Sequence, residues 1–148
     1  MPSQSFRVIL AGLILLTFAC TRGRLSPSGF RLPSGNADRG KVAFMKYDCH
    51  TCHEVSGTDL PKPTVVPAVP VVLGGAIDIE KTDGYLVTSI INPSHQIVRG
   101  PRELLMVGFE SRMPSRVNTM TVQEVTDIVE FLQAHYTVRR PALNIGYY

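Results

Sequence analysis

The sequence lacks several features that mark common classes of protein. It contains no tryptophan, and aromatic residues make up only 7% of its 148 positions, so the domain has a small core. Its 15 lysines and arginines are scattered and leave a formal net charge of +3, without the basic stripe that is typical of nucleic-acid binding. Alternating strand patterns and internal repeats are also missing. These absences favour one mainly helical domain with long loops and no nucleic-acid partner.

An apolar run lies near the N-terminus. It covers residues 8–19 and follows Arg7, the only charged residue among the first 21. The run has the length of a signal-peptide core and is too short for a bilayer, which needs about 20 apolar residues. A buried core helix is the alternative, but residues 21–35 are rich in Ser, Arg, Gly and Pro and are typical of a flexible tether. We therefore expect residues 1–19 to be an export signal peptide.

Cys20 ends the apolar run and follows a small residue, Ala19. This arrangement resembles a bacterial lipoprotein signal, in which the cysteine becomes the lipidated first residue of the mature chain. An uncleaved anchor and simple secretion are the alternatives. The lipoprotein interpretation makes residues 20–35 a lipidated tether. It places the exported domain at a membrane, facing the periplasm or the outer face of the cytoplasmic membrane.

The other two cysteines belong to one short motif, Cys49-His50-Thr51-Cys52-His53. Two cysteines at this spacing on a helical turn can form thioethers with the two vinyl groups of a haem, and the following histidine can bind the iron. Half of a zinc site would need a second ligand pair, and the domain has no other cysteine. A thioredoxin-like dithiol would need a preceding strand, whereas the preceding residues look helical. The motif predicts one covalent haem c on Cys49 and Cys52, with His53 as an axial ligand.

The second axial ligand must come from elsewhere, and Met113 is the predicted residue. It lies in a polar loop, residues 110–116, where no apolar periodicity explains it as a core residue. Pro114 restricts the backbone of Met113 to an extended conformation, which helps to hold a thioether sulfur in place. The alternative ligands are Met120, His95 and His135, whereas Met45 and Met106 are expected to pack in the interior.

Candidate capping residues predict where three helices begin. The candidate N-caps, in chain order, are Ser34 or Asn36, Thr82 or Asp83, and Thr121. The first helix is predicted over residues 36–48, and the second ends at Asn92-Pro93. Thr121 and Glu124 have the spacing of a capping box, and the helix that they open has apolar residues at three- and four-residue steps as far as Tyr136.

A long loop separates the haem motif from the second helix. It covers residues 54–75 and contains four prolines, Pro61, Pro63, Pro67 and Pro70. A loop of this length is unusual in a small domain unless it packs against something. We expect it to pack against the edge of the haem.

Residues 36–136 resemble a monohaem class I cytochrome c. The matching motifs are Gly40-x-x-x-Phe44, the haem motif, Leu73-x-Gly75, Gly84-Tyr85-Leu86-x-x-Ser89-Ile90-x-Asn92-Pro93, Met113-Pro114 and the helix after Thr121. The resemblance implies a mainly α fold, in which about three to five helices wrap around one haem. It also implies that the first and last helices cross near Gly40, with Phe44 and Phe131 packed nearby.

The resemblance extends to the surroundings of the haem. It implies that a carbonyl of the proline loop accepts the Nδ1–H of His53, and Pro70 is the chosen residue, with Pro67 as the alternative. Pro70 and Tyr85 are expected to border the haem pocket. The tail, residues 137–148, departs from the family pattern. It either docks on a partner or hangs free, and we expect a free tail.

The expected function is electron transfer through one haem with histidine and methionine ligands, without enzymatic activity of its own. The protein would be a tethered carrier or a fixed subunit of a respiratory or other redox complex. Its partners would be redox proteins, such as a membrane oxidoreductase, donor or acceptor cytochromes or an oxidase, and no small-molecule substrate is expected. The alternative is a five-coordinate or labile-ligand haem protein with sensing or weak peroxidase activity.

Overall fold

The structure is a computed structural model that describes residues 30–139. The predicted signal peptide, Cys20 and the end of the tail lie outside this range. The described part is mainly helical, with four α-helices: α1 (Ala37–Lys46), α2 (Asp83–Ile91), α3 (Arg102–Leu105) and α4 (Val122–Gln133). None of the helices among residues 30–139 has the length and apolar content needed to cross a membrane.

The predicted caps of the first and last helices are confirmed. The Asn36 side chain accepts a hydrogen bond from the Arg39 backbone N–H at 2.8 Å and starts α1. Thr121 and Glu124 form the complete capping box at the start of α4. Both helices therefore begin where their own sequences satisfy the unpaired backbone donors of the first turn.

The crossing of α1 and α4 near Gly40 is also confirmed. A Cβ atom at Gly40 would lie 1.9 Å from the Asp127 carbonyl oxygen and 2.7 Å from the Phe131 Cβ, so only glycine permits this approach. The Phe44 and Phe131 rings pack beside the crossing, with their centroids 5.7 Å apart. Most of the buried apolar core lies on these two helices.

A buried carboxylate, Asp127, stabilises the same crossing. Asp127 is 3% exposed, and the Arg39 guanidinium donates to its two carboxylate oxygens at 2.8 and 2.9 Å. The Asn36 backbone N–H and the Gln123 side chain also donate to Asp127. These donors, Arg39 first, lower the pKa of Asp127, so the carboxylate stays charged and links the start of α1 to α4.

The second helix also starts and stops as predicted. Thr82 caps α2 by accepting from the Tyr85 backbone N–H at 3.2 Å, and the helix ends before Asn92-Pro93. Leu86 and Ile90 are buried against the core formed by α1 and α4. The end of α2 is thereby held in a fixed position beside the loops that follow it.

The described residues also form short strands, which no alternating pattern in the sequence indicates. Strand β1 (Gly75–Ile77) pairs in parallel with β4 (Tyr136–Val138), and β2 (Met106–Val107) pairs with β3 (Glu110–Ser111) in an antiparallel hairpin. These strands are only two or three residues long, so they carry no alternation that periodicity could detect.

The β1–β4 pairing corrects two expectations about the C-terminal end of the domain. The last helix ends at Gln133, short of the predicted Tyr136, because the Gly75 backbone N–H bonds to the His135 carbonyl at 2.8 Å and draws the chain into a strand. The tail is not free at its start, since the Arg139 backbone N–H bonds to the Ile77 carbonyl at 2.8 Å. Residues 136–139 are therefore hydrogen bonded to β1.

Candidate functional site

The haem motif forms one tight turn directly after α1. Asp48 adopts a left-handed conformation with φ 57°, which aspartate tolerates better than most residues, and a 3₁₀ turn follows over Cys49–Thr51. The backbone N–H groups of Cys52 and His53 both bond to the Cys49 carbonyl, at 3.2 and 2.9 Å. The two cysteines are half-buried free thiols. The turn therefore presents both thiols and His53 within five residues without pairing the thiols as a disulfide.

His53 is held by the proline loop. Its Nδ1 lies 3.0 Å from the Val71 carbonyl oxygen, so Nδ1–H donates and Nε2 is left as the nitrogen that can bind a metal. The expectation that a carbonyl of this loop accepts the bond is confirmed. The choice of Pro70 is wrong by one residue, and the alternative Pro67 is also wrong.

The position of Val71 follows from the anchoring of the loop. The backbone N–H of Leu73 bonds to the Glu54 carbonyl, and the backbone N–H of Ser56 bonds to the Leu73 carbonyl, each at 2.8 Å. The backbone N–H of Val65 bonds to the Thr51 carbonyl at 2.8 Å. These bonds fix which carbonyl of the loop reaches His53, and the spacing of prolines in the sequence carries no information about them.

The loop that contains Met113 returns to the same turn. The guanidinium of Arg116 donates to the Tyr47 carbonyl at 3.2 Å, and the Cys49 thiol lies 3.9 Å from the same oxygen. Met113 itself is half-buried. The chain just after Met113 is thus brought to the cysteine side of the site, a contact that sequence reasoning missed because nothing local marks Arg116.

The alternative ligands have other surroundings. His95 is exposed in a turn, and His135 donates from Nδ1 to the Phe131 carbonyl at 2.7 Å while its ring packs edge-on against Phe131. His135 also lines a cavity of about 390 Å³ together with Lys41 and Asp59. The cysteines of the haem motif do not line this cavity.

The other methionines differ in how far they are buried. Met106 is 7% exposed, as expected for an interior residue. Met120 is half-buried against the core, and Met45 is half-buried and is not part of the buried core. Met113 is less buried than Met106 and, unlike Met120, is not among the side chains that pack against the core.

The surroundings of the thiols argue against a bare metal site or a redox dithiol. Burial raises the pKa of the Cys49 thiol to about 11, against the opposing charge of Arg116, so the thiol stays protonated at neutral pH. Within residues 30–139, no group of three or more His, Cys, Asp or Glu side chains could hold a metal ion. The segment that precedes Cys49 is α1 and not a strand. The zinc and thioredoxin-like interpretations therefore have no support in the described part of the chain.

The donor set fits a haem. Two unpaired thiols and an imidazole with a free Nε2 are the groups that covalent attachment and axial ligation require. Two buried polar atoms among the described residues also have no hydrogen-bond partner, Nδ1 of His50 and Oε1 of Gln96. His50 lies between the two cysteines, so the turn that carries the thiols leaves a buried polar atom without a partner within residues 30–139.

The family comparison agrees with this geometry. A family model for cytochrome c matches residues 37–135, about two thirds of the chain. The chain belongs to the cytochrome c family. No curated protein and no solved structure matches it. As a cytochrome c with the Cys49 and Cys52 motif, the protein carries one covalent haem c and takes part in haem-based electron transfer. Members of this family are typically electron carriers and not enzymes.

Proposed function

We propose that this cytochrome c is a membrane-tethered electron carrier whose haem iron is bound by His53 and Met113. Cys49 and Cys52 hold the porphyrin covalently. When bound, the haem supplies an iron that accepts and releases one electron. The protein's own residues orient this group, close its iron to other ligands and leave a haem edge for redox partners.

The fixed imidazole of His53 is the observation that carries the proposal. The Val71 carbonyl takes the Nδ1–H at 3.0 Å, so one tautomer and one ring orientation are selected before any metal binds. The same turn carries both thiols. One turn can therefore supply both the thiols for covalent attachment and the Nε2 for ligation.

The Met113 loop supports closure of the opposite side. Met113 is half-buried in a loop with no core role, and Pro114 restricts its backbone. Arg116 ties the chain just beyond it to the Tyr47 carbonyl, next to Cys49. A soft thioether favours the ferrous iron and raises the reduction potential, and a filled sixth position suits a carrier better than a sensor or a peroxidase.

Pro70 and Tyr85 are proposed to border the haem. Val71 replaces Pro70 as the partner of His53, and Pro70 precedes it in the same exposed loop. Tyr85 is half-buried against the core at the start of α2, with the Lys81 Nζ 4.5 Å from its ring centre. Tyr85 can thus offer an apolar ring face while its outer face is covered by a cation.

The membrane tether rests on the sequence near Cys20. The tether predicted over residues 21–35 is too long at its C-terminal end, because Leu32 packs against the core and a Cβ at Gly35 would lie 2.6 Å from the Thr126 carbonyl oxygen. A lipid at Cys20 would leave residues 21–31 as the connection, with a reach of about 18 Å. The haem domain would then be concentrated beside membrane-bound redox proteins, either as a free carrier or as a fixed subunit. We expect the full-length protein to fractionate with membranes and a Cys20→Ser variant to be released. Equal membrane binding of the two would contradict lipidation.

The Met113→Ala variant tests the ligand assignment. We expect the reduced wild type to be unreactive towards carbon monoxide, and we expect the variant to bind it because the sixth position is open. Met120→Ala is the matched control and should behave like the wild type. Carbon monoxide binding by the wild type itself would instead support the sensing or peroxidase alternative.

A further inference from the structure

The backbone N–H groups from Ser111 to Met113 are all hydrogen bonded. The Ser111 N–H donates to the Ser94 Oγ at 3.0 Å, and the Met113 N–H donates to the Ser111 Oγ at 3.1 Å. Between them, the Arg112 N–H bonds to the Leu105 carbonyl at 2.9 Å. Because Pro114 has no N–H, every backbone donor from Ser111 to Pro114 is accounted for within the protein.

The chain on the C-terminal side of Met113-Pro114 is also held by hydrogen bonds. The Ser115 hydroxyl donates to the Ile91 carbonyl at 2.6 Å and accepts from the Val117 N–H at 3.4 Å. Ile91 is the last residue of α2, where carbonyls lack partners within the helix. Both flanks of Met113-Pro114 are therefore attached to one short segment, Ile91–Ser94. We call the set formed by this segment, Ser111 and Ser115 the serine clamp.

The segment Ile91–Ser94 is itself rigid. The Asn92 N–H bonds to the Thr88 carbonyl at 2.8 Å, and the His95 N–H closes a turn on the Asn92 carbonyl at 3.0 Å. Pro93 is buried, and Ile90 just before the segment belongs to the core. The position of the Met113 backbone is therefore tied through α2 to the buried core.

We propose that Ser94, Ser111 and Ser115 are positioning residues that keep Met113 on the haem iron, an inference that rests on the proposed Met113 ligation. Dissociation of the thioether from the iron is favoured by the conformational entropy that the released Met113 segment gains. The serine clamp denies that freedom to the backbone on both sides of Met113. Its loss therefore raises the fraction of molecules with the methionine dissociated, without removing the ligand.

Imidazole titration of the oxidised holoprotein measures that fraction. Imidazole binds only when the methionine has left, so its apparent Kd is inversely proportional to the dissociated fraction. The clamp bonds are solvent-accessible and neutral, so Ser94→Ala and Ser115→Ala should each lower the apparent Kd about threefold. The double variant should lower it roughly tenfold if the two flanks act independently.

Two control variants separate positioning from general stability. Ser94→Thr keeps the hydroxyl and should restore the wild-type Kd. Ser89→Ala removes a serine hydroxyl from α2 itself, where its partner is the Tyr85 carbonyl within the helix, and should leave the Kd unchanged. If Ser94→Ala proves hard to produce, Ser111→Ala removes the acceptor of the Met113 N–H and should give the same shift.

The outcomes also distinguish this inference from the proposed function. Wild-type Kd values in the Ser94 and Ser115 variants, or an equal shift in Ser89→Ala, would overturn the positioning role while Met113 remained the ligand. If the oxidised wild type lacks the weak near-infrared band of methionine–iron ligation, Met113 ligation itself fails. The first result comes from the variants and the second from the wild type alone.

Discussion

The helix pair α1–α4 and the ligand loops are built in different ways. Among residues 30–139, seven of the eleven buried hydrophobic side chains lie on α1 and α4, whereas the stretch from 92 to 121 contributes Met106 and, beside these eleven, the buried Pro93. That stretch leaves Val107, Phe109 and Val117 at the surface, with exposed fractions of 64%, 88% and 54%. It is held by backbone and serine hydrogen bonds in place of side-chain packing.

This difference shows where the haem contributes to the fold. The helix pair has its own core, so its stability follows from packing of its side chains. The loops around Met113 have little core of their own, and we expect the covalently held porphyrin to be the apolar centre against which they pack. A loop held mainly by solvent-accessible hydrogen bonds also opens at lower free energy than a packed helix.

The largest expected effect comes from breaking the helix pair. Gly40→Ala places a Cβ against the Asp127 backbone, 1.9 Å from its carbonyl oxygen in the present geometry. Since a backbone cannot move aside as a flexible side chain can, we expect a loss of about 3 kcal/mol in the free energy of unfolding, measured by denaturant titration of the holoprotein.

Gly84→Ala is the matched control for that experiment. Gly84 also lies in a helix, but an added Cβ would have no atom within 4 Å. Replacing it should stabilise the protein by about 0.5 kcal/mol, because alanine is the better helix former. Equal losses at both positions would contradict the close crossing.

The next largest effect is a difference in hydrogen exchange within one native protein. Core amides of α4 should exchange only through global unfolding, whereas the amides of Ser111 and Met113 should exchange through local opening. We expect exchange at the loop to require an opening free energy about 3 kcal/mol smaller, roughly a hundredfold difference in protection. Equal protection in the two regions, measured by native-state exchange, would remove the distinction between them.

The smallest effect concerns the ion pair at the start of α4. Glu124 accepts from Lys46 at 2.6 Å, and from the Thr121 N–H and the Tyr47 hydroxyl at 2.8 Å. These bonds, Lys46 first, lower the pKa of Glu124 from 4.5 to about 2. A carboxyl with a lowered pKa in the folded state stabilises the protein above pH 4.5, and this contribution is lost as the pH falls from about 4.5 towards 2.

Glu124→Gln tests that pH dependence. The variant should be less stable than the wild type at pH 6, and the two should converge as the pH approaches 2. Glu130→Gln on the same helix is the control, since Glu130 forms no ion pair with another residue of the range 30–139. The measurement is the midpoint temperature of thermal unfolding at each pH. A constant difference in this temperature between the Glu124 variant and the wild type from pH 6 to pH 2 would contradict the predicted role of Glu124.

Local signals in the sequence predicted the elements that are locally determined. Asn36, Thr82 and Thr121 marked the helix starts because a side-chain cap depends on residues only three positions away. The haem motif could also be predicted from local sequence, since both thiols and His53 lie on one turn. Gly40 was placed at the helix crossing by resemblance to the cytochrome c family.

Features that depend on distant residues could not be predicted in this way. The pairing of Gly75 with Tyr136 joins segments some 60 residues apart, and it overrides an apolar period that would have continued the last helix. Val71 was missed in favour of Pro70 because the anchoring at Leu73 sets which carbonyl faces His53. The bond from Ser111 to Ser94 likewise has no local signature.

Ligation by His53 and Met113 is the central claim of this account, and absorbance spectroscopy of the oxidised wild-type protein tests it most directly. The account predicts the weak near-infrared band of methionine–iron ligation at neutral pH, and its loss in Met113→Ala but not in Met120→Ala. A wild type without the band, or a band that survives in Met113→Ala, would contradict it.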